Sequence, residues 1–224
     1  MENETKKRKP YAFTSPRQYE VNEPYVEYTG PELVLDLTKR YTYADYLTWL
    51  DDKRRELIDG FIHFMSAPVR RHAHTLSELS FRLKLIIAKS KGNCRIYQAP
   101  FDVRLPPLDS TEDDKIYNVI QPDICVVCDL SKLDDRGCLG APDLIIEILS
   151  PTTLKRDWNY KFNLYENAGV REYWIVDPKA KMATVFLLQP DGDYDMGTIY
   201  ESNQKVPVAI FEGLEIDLSE VFED

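Results

Sequence analysis

Two apolar runs, VIQPDICVVC at residues 119–128 and PDLIIEIL at residues 142–149, read as neighbouring β-strands, and each contains one acid out of place. Asp123 follows Pro122 at the mouth of ICVVC. Glu147 interrupts Leu144, Ile145 and Ile146 on one side and Ile148 and Leu149 on the other. A carboxylate inside such a strand is costly unless it is paired, hydrogen-bonded or bound to a metal. Singly, each has an ordinary explanation: Asp123 as a Pro-Asp junction between loop and strand, Glu147 as the wet face of an edge strand or half of an ion pair. Together they point to two oxygen ligands on neighbouring strands, the set that Mg²⁺ uses with phosphate and water completing its shell.

Outward from these strands the chain alternates helical and extended signals. Thr42, with Asp45 three residues on, forms a capping box, and Tyr43, Tyr46, Leu47 and Leu50 recur at helical spacing, so a first helix is expected to about Leu50 or Asp52. In residues 56–65 the Asp59-Gly60 pair between apolar stretches signals a two-residue hairpin, with Ile58 facing Phe61 and Glu56 facing His63. Residues 72–89 carry Leu76, Leu79, Leu83 and Ile86 or Ile87 on one helical stripe, ended by Gly92 and Asn93. Strands at 95–98 and 101–105 are interrupted by Pro100, and 106–118 is an acidic loop. A helix over 152–168, stopped by Gly169, packs through Trp158, Phe162 and Tyr165; strands follow at 172–177 and 182–188, with weaker ones at 194–200 and 206–210. The order implies an α/β (mixed α+β) domain over 39–224, a central mixed sheet flanked by helices, behind an extended N-terminal arm over 1–38.

With 224 residues and 43% hydrophobic side chains the chain suffices for one core. No run approaches the ~18 apolar residues of a membrane span, and the charged N-terminus lacks a secretory h-region, so a cytoplasmic location is expected. The net charge of −10 opposes non-specific adhesion to nucleic acid and leaves only local basic candidates: residues 6–9, Arg70 with Arg71, 84–95, and Lys155 with Arg156. The four cysteines, Cys94, Cys125, Cys128 and Cys138, are expected to be reduced thiols. A strand directs Cys125 and Cys128 to opposite faces, which argues against a shared zinc ion. His72 and His74 read as the start of the long helix beside Arg70 and Arg71, since no Gly-x-Ser-x-Gly elbow accompanies them.

Glu56, on the hairpin strand, is a third candidate carboxylate, although Arg54 and Arg55 beside it would suffice for a surface pair. Phosphodiester chemistry also needs a cation for the charge that develops on phosphate. Leu149, two residues past Glu147 on the same face, cannot serve. Lys161 is the replacement. A helix from Thr152 to Lys161 rises about 13 Å at ~1.5 Å per residue, enough to return along the sheet past Glu147. Tyr165 lies one turn on.

The succession VIQPDICVV, APDLIIEILSPTT and RDWNYKFNLYENAGVREYWIVDP, together with ELIDGFIHFMSAP upstream, resembles the Uma-type family of bacterial restriction endonucleases, a branch of the PD-(D/E)XK superfamily, over about residues 41–188. The resemblance implies a restriction-endonuclease-like core and Mg²⁺-dependent hydrolysis of DNA, with Mn²⁺ as a substitute ion. It places Asp123 at the aspartate of the PD element, Glu147 at the acid of the E-x-K element and Glu56 at the acid of an earlier element. Leu149 departs from the parent lysine; in such branches the lysine moves to the following helix, where Lys161 stands with Tyr165. The alternative is an inactive nuclease fold that binds nucleic acid or protein. A homodimer would suit cleavage of both strands of a duplex.

Overall fold

Why a strand as apolar as Leu-Ile-Ile-Glu-Ile should exist is answered by what covers it in the computed structural model, which describes residues 33–51, 53–90, 92–150 and 160–222. In chain order the elements are α1 (Tyr43–Tyr46), β1 (Arg55–Ile58), β2 (Phe61–Phe64), α2 (Arg70–Ser90), β3 (Arg95–Gln98), β4 (Val103–Arg104), β5 (Val119–Ile120) and β6 (Ile124–Val127). They continue as β7 (Leu133–Asp134), β8 (Gly137–Leu139), β9 (Leu144–Ile148), a third helix α3 (Phe162–Ala168), β10 (Glu172–Asp177), β11 (Met182–Leu187), β12 (Thr198–Glu201), β13 (Lys205–Pro207) and β14 (Glu215–Asp217). Residues 1–32 of the expected arm, the first half of the helix expected at 152–168 with Trp158, and the basic candidates at 6–9, Lys155 and Arg156 lie outside the described residues.

All five residues of β9 are buried because it is an interior strand of a mixed sheet ordered β12-β11-β10-β9-β6-β3. One face carries Ile124, Val126, Leu144, Ile146 and Ile148 against Leu79, Leu83 and Ile86 of α2. The other carries Cys125, Val127, Ile145, Tyr173 and Ile175 against Tyr165 and Phe162 of α3. Each such aliphatic side chain contributes about 1.5–3 kcal/mol by burial, so alternation along β9 fixes which residues meet which helix. The fold is thus the mixed α/β architecture that the sequence implied, with its strands divided, among the described residues, between two large sheets and one hairpin. The second large sheet is ordered β2-β1-β5-β4-β8-β7, and β13 pairs with β14.

The division falls inside what reads as one strand over 119–128. Val119–Ile120 belongs to the second sheet, where Leu57 faces Val119; Ile124–Val127 belongs to the first, where Ile124 faces Ile146. Between them stands Pro122, which has no N–H for a ladder, and the chain changes sheets there. The Asp59-Gly60 turn is as expected, with Ile58 opposite Phe61 and Glu56 opposite His63. Both turn residues have positive φ, 51° and 80°, the type I′ requirement. The first helix stops at Tyr46, short of Leu50, although its Thr42–Asp45 capping box is formed. The strand over 101–105 contracts to β4, and the tail holds β14 where no strand was expected.

β9 and β10 run parallel, with Glu147 beside Ile175. Parallel neighbours need a crossover that returns from the end of one strand to the start of the next. That return carries α3 along β9, and Gly169 ends it in the left-handed conformation.

The cysteine expectation needs correction. The β3–β6 register sets Arg95 opposite Val127, which places Cys94 opposite Cys128, and the two form a disulfide. Cys125 and Cys138 are the buried free thiols among the described residues. Cys125 and Cys128 do lie on opposite faces, Cys125 in the α3-side core and Cys128 against the α2-side core. No described helix is long and apolar enough to cross a membrane.

Candidate active site

The break at Pro122 places the seam between the two large sheets beside Glu147, and the site residues converge there from three directions. Glu56 comes from the hairpin strand β1 and is fully buried. Its Oε1 accepts a hydrogen bond from the Gln121 backbone N–H at 3.0 Å, which ties β1 to the chain just before the break. Glu147 comes from the interior strand β9 and is 3% exposed. Lys161, 1% exposed, comes from the crossover and stands immediately before α3.

The Lys161 ammonium joins the two acids. Nζ donates to Glu56 Oε1 at 2.9 Å and to Glu147 Oε1 at 2.8 Å. The Tyr165 hydroxyl donates to the same Glu147 oxygen at 2.6 Å. A buried ion pair survives only when the attraction and hydrogen bonds offset the desolvation of both partners, and here one ammonium serves two carboxylates. Burial, with Glu147 and Glu56 beside it, pushes the Tyr165 phenol well above its ordinary value of 10.0, so it stays a proton donor. Leu149, at the position of the missing lysine, packs against the core on the Tyr165 side.

Asp123 stands at the edge of this cluster. Its Oδ2 accepts the Ile148 backbone N–H at 2.7 Å, so its carboxylate is held at the residue that follows Glu147. The same oxygen lies 3.1 Å from His72 Nε2, at the first turn of α2. Asp123 and Glu147 are thus on adjoining elements, as their strands implied. No hydrogen bond among the described residues joins their side chains.

Two residues have roles here that were not expected from the sequence: His72, expected only to start the long helix, and Gln121. His72 shares the stripe of α2 that buries Leu79, Leu83 and Ile86, spaced seven, eleven and fourteen residues on, and that spacing is the signal that aims it at the sheet. Gln121, 6% exposed, accepts from Arg54 Nη2 at 3.0 Å and donates to Asp102 Oδ1 at 2.9 Å. Burial raises the Asp102 carboxyl against the opposing effect of that Gln121 bond. Of the basic candidates, Arg71 and Lys84 are exposed, and Arg95 is exposed on the edge strand β3.

A mixed sheet whose interior acid meets a lysine from the crossover defines a nuclease-like fold of the restriction-endonuclease kind. The model of the Uma2 family, described as "Putative restriction endonuclease", matches residues 43–219, and the chain belongs to this family. The match runs past Leu188 into the C-terminal strands, further than the motifs alone carried it. Among relatives, the uncharacterized protein slr1290 of Synechocystis sp. is 26% identical over 155 residues, 67% of this chain and 75% of that protein. Among solved structures, a "putative nuclease belonging to DUF820" from Anabaena variabilis superposes with a TM-score of 0.63 at 20% identity. That superposition covers 81% of this chain and 97% of the other, and it establishes likeness of fold.

Proposed function

We propose that the chain is an endonuclease that hydrolyses DNA phosphodiester bonds, with Mg²⁺, or Mn²⁺ in its place, held by Asp123 and Glu147. The observation that carries this reading is the buried Lys161 ammonium, bonded to Glu147 and Glu56 at 2.8 and 2.9 Å although it arrives from a different element than either acid.

The donor set suits a hard cation. Glu147 and Glu56 bring two carboxylates against one ammonium, with Asp123 at the edge of the cluster, and oxygen is the ligand Mg²⁺ takes. Among the described residues no three His, Cys, Asp or Glu side chains converge as a ready metal cage. Mg²⁺ needs none, since it keeps several waters and uses one or two carboxylates with substrate phosphate. When bound, such an ion polarises the phosphate and makes a water nucleophilic at neutral pH. The remaining work falls to side chains. Lys161 supplies positive charge for the phosphate oxygens as they gain charge. Glu56 holds the Lys161 ammonium from the β1 side, and Tyr165 fixes Glu147 Oε1. With a net charge of −10, DNA would be engaged locally rather than by the whole surface. A two-fold dimer would present two such sites to a duplex.

The rival is a binding module in which the same acids are structural. It is favoured by Lys161 already bonding both carboxylates directly. Cleavage assays on supercoiled, linear duplex, single-stranded and branched DNA separate the two. Wild-type protein is expected to cut with Mg²⁺ or Mn²⁺, and Glu147→Gln and Lys161→Met, checked for folding by circular dichroism, are expected not to. Failure of the wild type on every substrate with either ion defeats the enzyme reading.

A further inference from the structure

His72 does more than begin a helix. The two donors at Asp123, the His72 imidazole at 3.1 Å and the Ile148 N–H at 2.7 Å, both address Oδ2. Oδ1 takes part in no hydrogen bond among the described residues, and the Asp123 side chain keeps 17% exposure while the His72 side chain keeps 9%. One carboxylate oxygen is therefore pinned by two elements, α2 and β9, and the other is left without a hydrogen bond among the described residues.

We infer that His72 is a positioning residue that clamps Asp123 Oδ2, so that Oδ1 is the oxygen offered to a divalent cation; this rests on the metal-dependent reading given above. An ionised carboxylate only accepts, so the imidazole proton sits on Nε2. His72 Nδ1 is buried with no hydrogen-bond partner among the described residues, as suits a ring nitrogen without a proton, since a buried N–H left unpaired is costly. The clamp is stiff at its base. Thr75, Leu79, Leu83 and Ile86 of the same helix are buried, which fixes the direction from which the imidazole reaches the acid. Ligand carboxylates that are themselves hydrogen-bonded keep their orientation when the ion leaves, and removal of such outer partners typically weakens metal affinity ~10–100-fold.

The test is Mn²⁺ affinity, measured by calorimetry and by loss of the free-ion electron paramagnetic resonance signal, without DNA. Wild type is expected to bind. His72→Ala is expected to bind about 10–100-fold more weakly. His72→Gln, whose amide N–H₂ can reach the same oxygen, is expected to regain most of that loss, and thermal melting checks that both variants are folded. On an Asp123→Ala background His72→Ala is expected to change nothing further, as for two residues acting through one contact. Equal Mn²⁺ affinity in wild type and His72→Ala overturns the positioning role and leaves the metal site standing. Absence of Mn²⁺ binding by the wild type overturns both.

Discussion

Replacing Lys161 by methionine should lower stability as well as abolish cleavage. The substitution keeps most of the side-chain volume and removes the charge. Glu56 and Glu147, 0% and 3% exposed, then lose the ammonium that each bonds within 2.9 Å. Removing one partner of a buried ion pair typically destabilises by about 3–5 kcal/mol, because the remaining charge stays desolvated. For a domain of this size each kcal/mol shifts Tm by roughly 2–4 °C, so Lys161→Met should melt about 6–20 °C below wild type. Adding Glu56→Gln and Glu147→Gln on the Lys161→Met background should recover much of the loss, since neutral amides are far less costly to bury than carboxylates. Circular dichroism melts and urea titrations at neutral pH supply both quantities. A Lys161→Met protein within about 1 kcal/mol of wild type would refute the buried triad. So would a triple variant less stable than the single one.

Two further perturbations probe neighbouring parts of the same structure. Tyr165→Phe removes the 2.6 Å bond to Glu147 and should destabilise by about 1.5–3 kcal/mol. It should also flatten the alkaline limb. Because the native phenol titrates well above 10.0, the folded state holds a proton that the unfolded state has released, so stability is intact below pH 10.0 and falls above it by about 1.4 kcal/mol per pH unit. Urea midpoints from pH 9 to 11 with identical slopes for wild type and variant would contradict this. Gly60→Ala should destabilise by about 1–3 kcal/mol, since φ is +80° and an added Cβ would stand 3.0 Å from Arg40 Cβ, Tyr117 Cδ1 and the Tyr41 carbonyl oxygen; thermal melts check the magnitude.

What could be read from residues alone depended on whether the signal was local. Glu147 was conspicuous because a charge inside Leu-Ile-Ile-Glu-Ile violates the pattern of a buried strand. The hairpin register followed from Asp59-Gly60, and with it the placement of Glu56 opposite His63. The expected return of the chain past Glu147 singles out Lys161, and the two side chains lie 2.8 Å apart, although residues 151–159 on that route lie outside the described ones. Other features depend on tertiary register. Pro122 marks a break in VIQPDICVVC, but nothing in the run says that its two ends belong to different sheets, because both ends are apolar and both are buried. The Cys94–Cys128 bond requires knowing that β3 pairs with β6, a pairing between segments far apart in sequence. His72 does start the long helix as expected, but its partner was not legible, for a related reason. A histidine at the head of a helix fits many settings, and only the position of Asp123 at the end of the adjoining sheet makes this one a partner.

The lysine's address has a consequence for how the site comes and goes. Two residues past Glu147 it would be held by the sheet ladder. At 161 it stands immediately before α3, which packs on the core through Phe162, Leu164, Tyr165 and Ala168. The ammonium and the phenol therefore reach Glu147 together and leave together. Any local opening that lifts this helix while β9 stays paired would take the Lys161 and Tyr165 bonds from Glu147 at once. The Lys161 and Tyr165 contacts to Glu147 therefore behave as one cooperative pair rather than as two independent contacts.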